Sequence, residues 1–299
     1  MSVDTFLTHL AGGLALGAIY ALLALGLVVV FKATGVLNFA HPGMVMAAGL
    51  VTWQVTDLHA PFMVSVPAGV CAAAATGVVL ELLTSRAVAA QAVVTASIIT
   101  LGAGIMLQAE INRRLGSRVL DLEDPWGSGV LDIGGLSMAE SRAVAITVTL
   151  VVVAALFTWL RVSSWGIAAR AATEDRETAR LMAIPLRRIT LAAWALAGLL
   201  AAVAVLFLTA FPSPGLDSTT ATVALRALPA AIIGGLDSLE GAVLGGFLVG
   251  TCEVLAQGYQ SRIDFLGQGF YSVVPYVLMM ALLLARPAGL FGSREVTRV

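Results

Sequence analysis

Side chains able to do chemistry are few in this 299-residue sequence, and their spacing rules out most reactions. His9, His41 and His59 are scattered, and no Cys/His spacing suits a metal ion. Cys71 and Cys252 each lie inside an apolar run and read as small packing residues, with no disulfide expected. The apolar stretches hold no Ser/His/Asp, paired-Asp or His-Glu-x-x-His arrangement. A Gly-x-x-x-x-Gly-Lys-Ser/Thr loop is absent and the only lysine is Lys32, so the chain is not expected to hydrolyse ATP by that route. What remains is a set of polar residues in apolar surroundings. "TGVLNFAHPGMVMAAGL" (34–50) sets Asn38, His41 and Pro42 in the path of a helix. Pro42 removes a backbone donor and Gly43 relieves crowding, so the stretch reads as a broken or re-entrant entry beside a transport path. Asn38 is expected to cap the following helix and His41 to satisfy an exposed carbonyl. The alternative is a plain interfacial cap with the helix starting at Pro42. Arg226 is expected to snorkel to the outer surface, or else to pair with Glu110 or Glu253.

The elements that must position these residues are membrane helices. Hydrophobic residues make up 59% of the chain and charged residues 12%, about half the share in soluble domains. Mean hydropathy is +0.95. Long continuous apolar runs, rather than alternation, exclude a β-barrel, and the 30 glycines suit closely packed helices. A net charge of −1 gives no reason to expect a nucleic-acid partner. The N-terminus has neither a basic region nor a cleavage site and reads as the start of a first helix.

The expected fold is all-α: one polytopic transmembrane permease domain over 1–299, a bundle of 8–9 spans with broken or re-entrant pieces. Candidate spans are 8–31, 36–56, 62–83, 92–112, 142–161, 188–211, 219–235, 239–257 and 268–286, of which 219–235 is short and holds Arg226 and Pro229. Placing 162–187 in the cytosol puts the N-terminus outside and the C-terminus inside. The inner loops then carry 11 Lys/Arg and the outer loops 5, in accord with the positive-inside rule. The stretch 112–142 becomes a long extracytoplasmic loop of mixed charge. A weak echo between 37–49 and 236–246, each following a cytosolic turn, hints at an internal repeat.

"GIAARAATEDRETARLMAIP" (166–185) has acids early, Arg180 late and Pro185 as a stop, the pattern of a helix complementing its own dipole. Ile167, Ala171, Leu181, Met182 and Ile184 give it an apolar component suited to a partner's groove, against the plainer reading of an ordinary amphipathic loop helix.

Four segments in order, "GVLNFAHPGMVMAAG", "RAATEDRETARLMAI", "GGLDSLEGAVLGGFLVG" and "RPAGLFG", resemble the permease subunits of branched-chain amino-acid ABC transporters, of the LivH/LivM type and nearer LivH. The resemblance covers about 260 residues. It implies a coupling helix touching an ATPase, a role that falls on Arg170, Ala171, Glu174, Asp175, Ala179 and Ile184. It also places Gly234, Gly235, Asp237, Ser238 and Gly241, with Asn38, His41, Pro42 and Gly43, along the translocation path or its broken helices. There are departures: Pro42 intervenes before Gly43, Ala183 stands where glycine is usual, and Asp237 and Glu240 replace Gly and Pro. At Ala183 a left-handed glycine cap is therefore not expected, and Pro185 is expected to end the helix instead.

The resemblance further implies an importer in the bacterial cytoplasmic membrane, with a second related permease, two ATP-binding subunits and an extracytoplasmic binding protein as partners. The chain itself is expected to hold no cofactor, with ATP and Mg in the partner ATPases. The alternative within the family is a urea or short-amide permease. From another class, the alternative is a self-sufficient channel or secondary transporter, which would want a relay of membrane carboxylates where only Glu110 and Glu253 qualify.

Overall fold

The computed structural model describes residues 3–122, 126, 129–133, 136–174, 176–211, 214–262 and 267–292. In chain order the helices are α1 (Val3–Thr34), α2 (His41–Asp57), α3 (Phe62–Ala89), α4 (Val93–Leu115), α5 (Glu140–Val162), α6 (Ser164–Glu174), α7 (Arg176–Leu181), α8 (Leu186–Leu208), α9 (Thr220–Leu225), α10 (Ala227–Gly234), α11 (Leu239–Gly258) and α12 (Val274–Ala285). Six of them, α1, α3, α4, α5, α8 and α11, are long and apolar enough to cross a membrane. The segments expected to span at 36–56, 219–235 and 268–286 appear as shorter helices. The physical cause lies in the breaks. The chain after α1 stays non-helical to Ala40, α9 and α10 part at Arg226, and a 3-10 turn at Phe270–Ser272 precedes α12.

α1 forms the centre, with 83% of its apolar window buried, whereas α5 buries 17% and presents Leu150 and Val151 outward. A helix apolar all round suits either place, because lipid is as apolar as a neighbouring leucine. α1 and α11 cross at backbone contact: a Cβ on Gly17 would lie 2.7 Å from the Cα of Phe247, and one on Gly13 2.7 Å from that of Thr251. α3 and α8 meet in the same way, Gly77 against the Trp194 carbonyl and Gly198 against that of Ala73.

Contacts between distant segments sort into two ends. At one, Lys32 Nζ donates to the Asp237 carbonyl (2.9 Å), Thr190 Oγ1 to Glu81 (2.9 Å), and the Leu290 and Phe291 amides to the carbonyls of Ile233 and Gly234. At the other, Leu120 and Leu216 exchange backbone hydrogen bonds, Trp126 stacks on Phe207 and meets Phe62 edge-on, and Arg142 lies over Phe211. The mixed-charge stretch 112–142, read as a loop, contains an antiparallel hairpin, β1 (Val130–Ile133) with β2 (Leu136–Ala139), in which Ile133 faces Leu136. The Gly-Gly between the two strands was a hairpin signal in plain view.

Candidate functional site

The break after α1 is half-buried and held by hydrogen bonds from a neighbouring helix. Gly35 turns at φ 77°, and α4 then supplies hydroxyls to the exposed backbone. Ser97 Oγ accepts from the Leu37 amide (3.2 Å), Thr100 Oγ1 accepts from that of Phe39 (3.1 Å), and the same Thr100 hydroxyl lies 3.0 Å from the Leu37 carbonyl. Non-helical backbone at membrane depth survives only where protein satisfies it in this way. Asn38 does not cap α2 itself. Its Oδ1 accepts from the Ala40 amide (3.1 Å), one residue before the helix, and Ala40 sits at the cap position without a side-chain bond. Pro42 falls in the first turn, where its missing donor is harmless.

His41 departs from expectation. It is 1% exposed, and the one backbone group within its reach is the Leu23 carbonyl of α1, a contact too loose to count as a well-formed hydrogen bond. The imidazole lies against Gly26, where a Cβ would come 2.6 Å from its Cε1. Gly26 is eight residues before the end of α1, about 12 Å of helix. α2 therefore begins well inside the bundle, and the chain from Gly35 re-enters to reach that point. Gly43 packs against Leu107 of α4. Together with Leu27, Leu37, Phe39 and α9–α10, Asn38 and His41 line a small cavity of about 10 Å³, room for a single water.

The third motif forms a different kind of corner. Gly234 and Gly241 approach until each would place a Cβ on the other's carbonyl, Gly235 turns at φ 105°, and Ser238 caps α11 by accepting from the Gly241 amide (3.0 Å). Lys32 binds the Asp237 carbonyl and the "GLFG" tail closes over α10. Gly234, Gly235, Asp237, Ser238 and Gly241 thus lie at one end of the bundle, while His41 is drawn inward. The echo between 37–49 and 236–246 does not extend to local geometry.

Arg226 pairs instead of snorkelling. It sits between α9 and α10 with its side chain 15% exposed, and its guanidinium meets the Glu253 carboxylate of α11. Tyr20 of α1, wholly buried, donates to the other oxygen of Glu253 at 2.8 Å. An ion pair costs less to bury than a lone guanidinium, and the kink at Arg226 aims it inward. Glu110, the other partner considered, bonds Arg113 and Arg114 on its own helix. Tyr20 was missed in the sequence, where its signal was a single phenol amid fifteen apolar neighbours of "LALGAIYALLALGLVV".

The cytosolic loop of the expectation is two helices, α6 and α7. Trp165 of α6 stacks on Trp159 of α5 with centroids 4.6 Å apart, and the Arg170 guanidinium donates to the Leu160 carbonyl, fixing the corner. Ala172, Ala179 and Ile189 form a small core of their own with Ile184 at its edge. Arg170 and Ala171 are exposed. Asp175 and the side chain of Glu174 lie outside the described residues. A left-handed cap, not expected here without glycine, does form: Ala183 adopts φ 57°, its amide bonds the Arg180 carbonyl, and the Ile184 amide bonds that of Ala179. These are the two bonds of a Schellman motif, made here without glycine. Leu181 and Met182 stand 88% and 73% exposed beside it.

Residues 9–283 match the family described as branched-chain amino acid transport system / permease component. The chain belongs to that family. The permease is 29% identical to the high-affinity branched-chain amino acid transport system permease protein LivH of Escherichia coli K12 over 309 aligned positions, covering 98% of both chains. It is 30% identical to LivH of Salmonella typhimurium over the same length, and 28% identical to BraD of Pseudomonas aeruginosa. A solved structure of PsaBC from Streptococcus pneumoniae in complex with a Fab superposes with a TM-score of 0.46 at 11% identity, covering 94% of this permease and 90% of that chain, a likeness that carries no fold argument.

Proposed function

We propose that this permease is the membrane subunit of an ATP-driven importer for branched-chain or other hydrophobic amino acids. The observation that carries the reading is the family match over nearly the whole chain, 9–283. In this reading the translocation path forms with a second related permease, two ATPases supply the hydrolysis with ATP and Mg, and an extracytoplasmic protein delivers the substrate. The end holding Lys32, Glu81 and the α6–α7 loop faces the cytosol of a bacterial cell, because the arginines crowd there. The sorting of contacts into two ends supports nine passages, with α2, α9–α10 and α12 as the short ones. The N-terminus is then outside and the C-terminus inside.

Leu181 and Met182, apolar and exposed beside the loop's own small core, support the coupling role assigned to Arg170, Ala171, Glu174, Asp175, Ala179 and Ile184. Motion of α6–α7 would pass through Ala172, Ala179 and Ile189 onto α8, which packs on α1 and α3. The small cavity at Asn38 and His41 is the part of the path that would widen. The imidazole of His41 is then the polar group that water or substrate meets. Glycines 234, 235 and 241, with Asp237 and Ser238, serve as the rigid corner against which α10 and α11 turn.

The test is reconstitution with and without the partner ATPases and the binding protein, followed by uptake of labelled leucine. Uptake is expected only with all components and ATP. Concentrative uptake by this chain alone would overturn the reading.

A further inference from the structure

Beyond the Gly77–Trp194 contact, towards the end that carries Lys32, α3 and α8 with the end of α1 and the α6–α7 loop line a second, much larger and half-open pocket of about 340 Å³. That volume lies within the range of small-molecule sites. Its chemistry is uneven along its length. Glu81 and Trp194 are the deepest lining residues on their helices, and both are buried, at 3% and 0% exposure. One Glu81 oxygen accepts from Thr190, while the other, Oε2, has no hydrogen-bond partner among the described residues, nor has the Trp194 indole nitrogen. The mouth is lined by Arg86, Arg180 and Arg187, all exposed and, among the described residues, none in an ion pair. Val88 and Ile189 add apolar wall.

A buried carboxylate oxygen without a donor is costly, and a cation bearing N–H groups is what relieves it. Three guanidinium groups at the mouth ask for an anion. Arg86 lies five residues from Glu81, about 7.5 Å along the helix, a rise that an arginine side chain spans. We propose that this pocket is a cytosol-facing binding site for a free zwitterionic α-amino acid. Its ammonium meets Glu81, its carboxylate meets the arginines, and an aliphatic side chain lies on Val88, Ile189 and the indole. An ethanolamine phospholipid headgroup offers the same pairing of ammonium and anion. The free amino acid is favoured because the α6–α7 loop contributes Ala172 and Arg180 to the lining, so that a water-side segment borders the pocket. Occupancy would tie that loop to α3 and α8 and so slow an ATP-driven cycle from the product side. The site rests on the pocket alone, whereas this consequence and the choice of leucine as probe rest on the importer reading.

The whole transporter complex in nanodiscs free of ethanolamine lipid is irradiated with a diazirine analogue of leucine, without binding protein or ATP, and labelled peptides are mapped by mass spectrometry. Label competed by excess leucine is expected within 81–89 or 186–194, at least tenfold weaker in Glu81→Gln and at least fivefold weaker in Arg187→Gln. Glu81→Gln keeps the acceptor for Thr190, and Arg187 is exposed, so one variant carries the test if the other fails to assemble. A parallel arm uses a photoreactive phosphatidylethanolamine. Label on these peptides from the lipid and not from leucine overturns the proposal, as does leucine-competed label that both variants leave unchanged. Labelling here without ATP-driven uptake would sink the importer reading and leave the site standing; uptake without labelling would do the reverse.

Discussion

Arg226 sits where a helix breaks, and its guanidinium reaches a carboxylate on another helix. Removing only the arginine leaves Glu253 buried with Tyr20 as its remaining donor. Breaking one side of a buried pair costs about 3–5 kcal/mol in soluble proteins, and less in membranes where the unfolded reference also finds partners. Arg226→Met is therefore expected to lower the thermal unfolding midpoint in detergent by several degrees. The double variant Arg226→Met/Glu253→Gln should recover part of that loss. Equal midpoints for the single and double variants would mean that Glu253 left without Arg226 carries no penalty. Gly26 offers a second test at this scale. A methyl group there would meet the imidazole of His41 at 2.6 Å, and His41 is buried, with no more than a water-sized space beside it. Gly26→Ala should reduce transport at least tenfold while leaving insertion intact, and unchanged uptake would show that the imidazole can shift freely.

The α6–α7 element is small, and its end is strained. Ala183 at φ 57° holds a conformation that costs an ordinary residue about 1–2 kcal/mol. Ala183→Gly relieves this, so the amides of Ala183 and Ile184 should exchange with deuterium about fivefold more slowly, as roughly 1 kcal/mol of local stability implies. Faster exchange would mean that glycine's freedom in the open state outweighs the relief of strain. The exposed pair Leu181 and Met182 gives the element its function in the proposed reading. The double substitution Leu181→Asp/Met182→Asp should reduce co-purifying ATPase at least tenfold without altering membrane insertion, since neither side chain is buried in the bundle. Stoichiometric recovery of the ATPase would remove both residues from the contact.

At the scale of the whole molecule, the proposed reading sets the two ends on opposite sides of the membrane, an orientation that cysteine labelling can read. With Cys71 and Cys252 replaced by Ala, a cysteine at exposed Leu58 should react with an impermeant thiol reagent in intact cells, and one at Met182 only after the cytosolic side is opened. The opposite pattern would invert the orientation. The membrane class, the packing by small residues, the four motifs and the excess of arginine at one end were all legible in the sequence, because composition and periodicity act locally along the chain. Direction at Arg226 was not legible. Whether a guanidinium snorkels or pairs depends on where α11 brings Glu253, and that is set by the crossing of α1 and α11 at Gly13 and Gly17. The same holds for the hydroxyls of Ser97 and Thr100, which complete a break sixty residues earlier in the chain. It holds too for Glu81 and Thr190, which meet across two helices to form one wall of a pocket. A one-dimensional pattern records which residues seek burial or a partner. Only the closure of helix on helix decides which partner each of them finds.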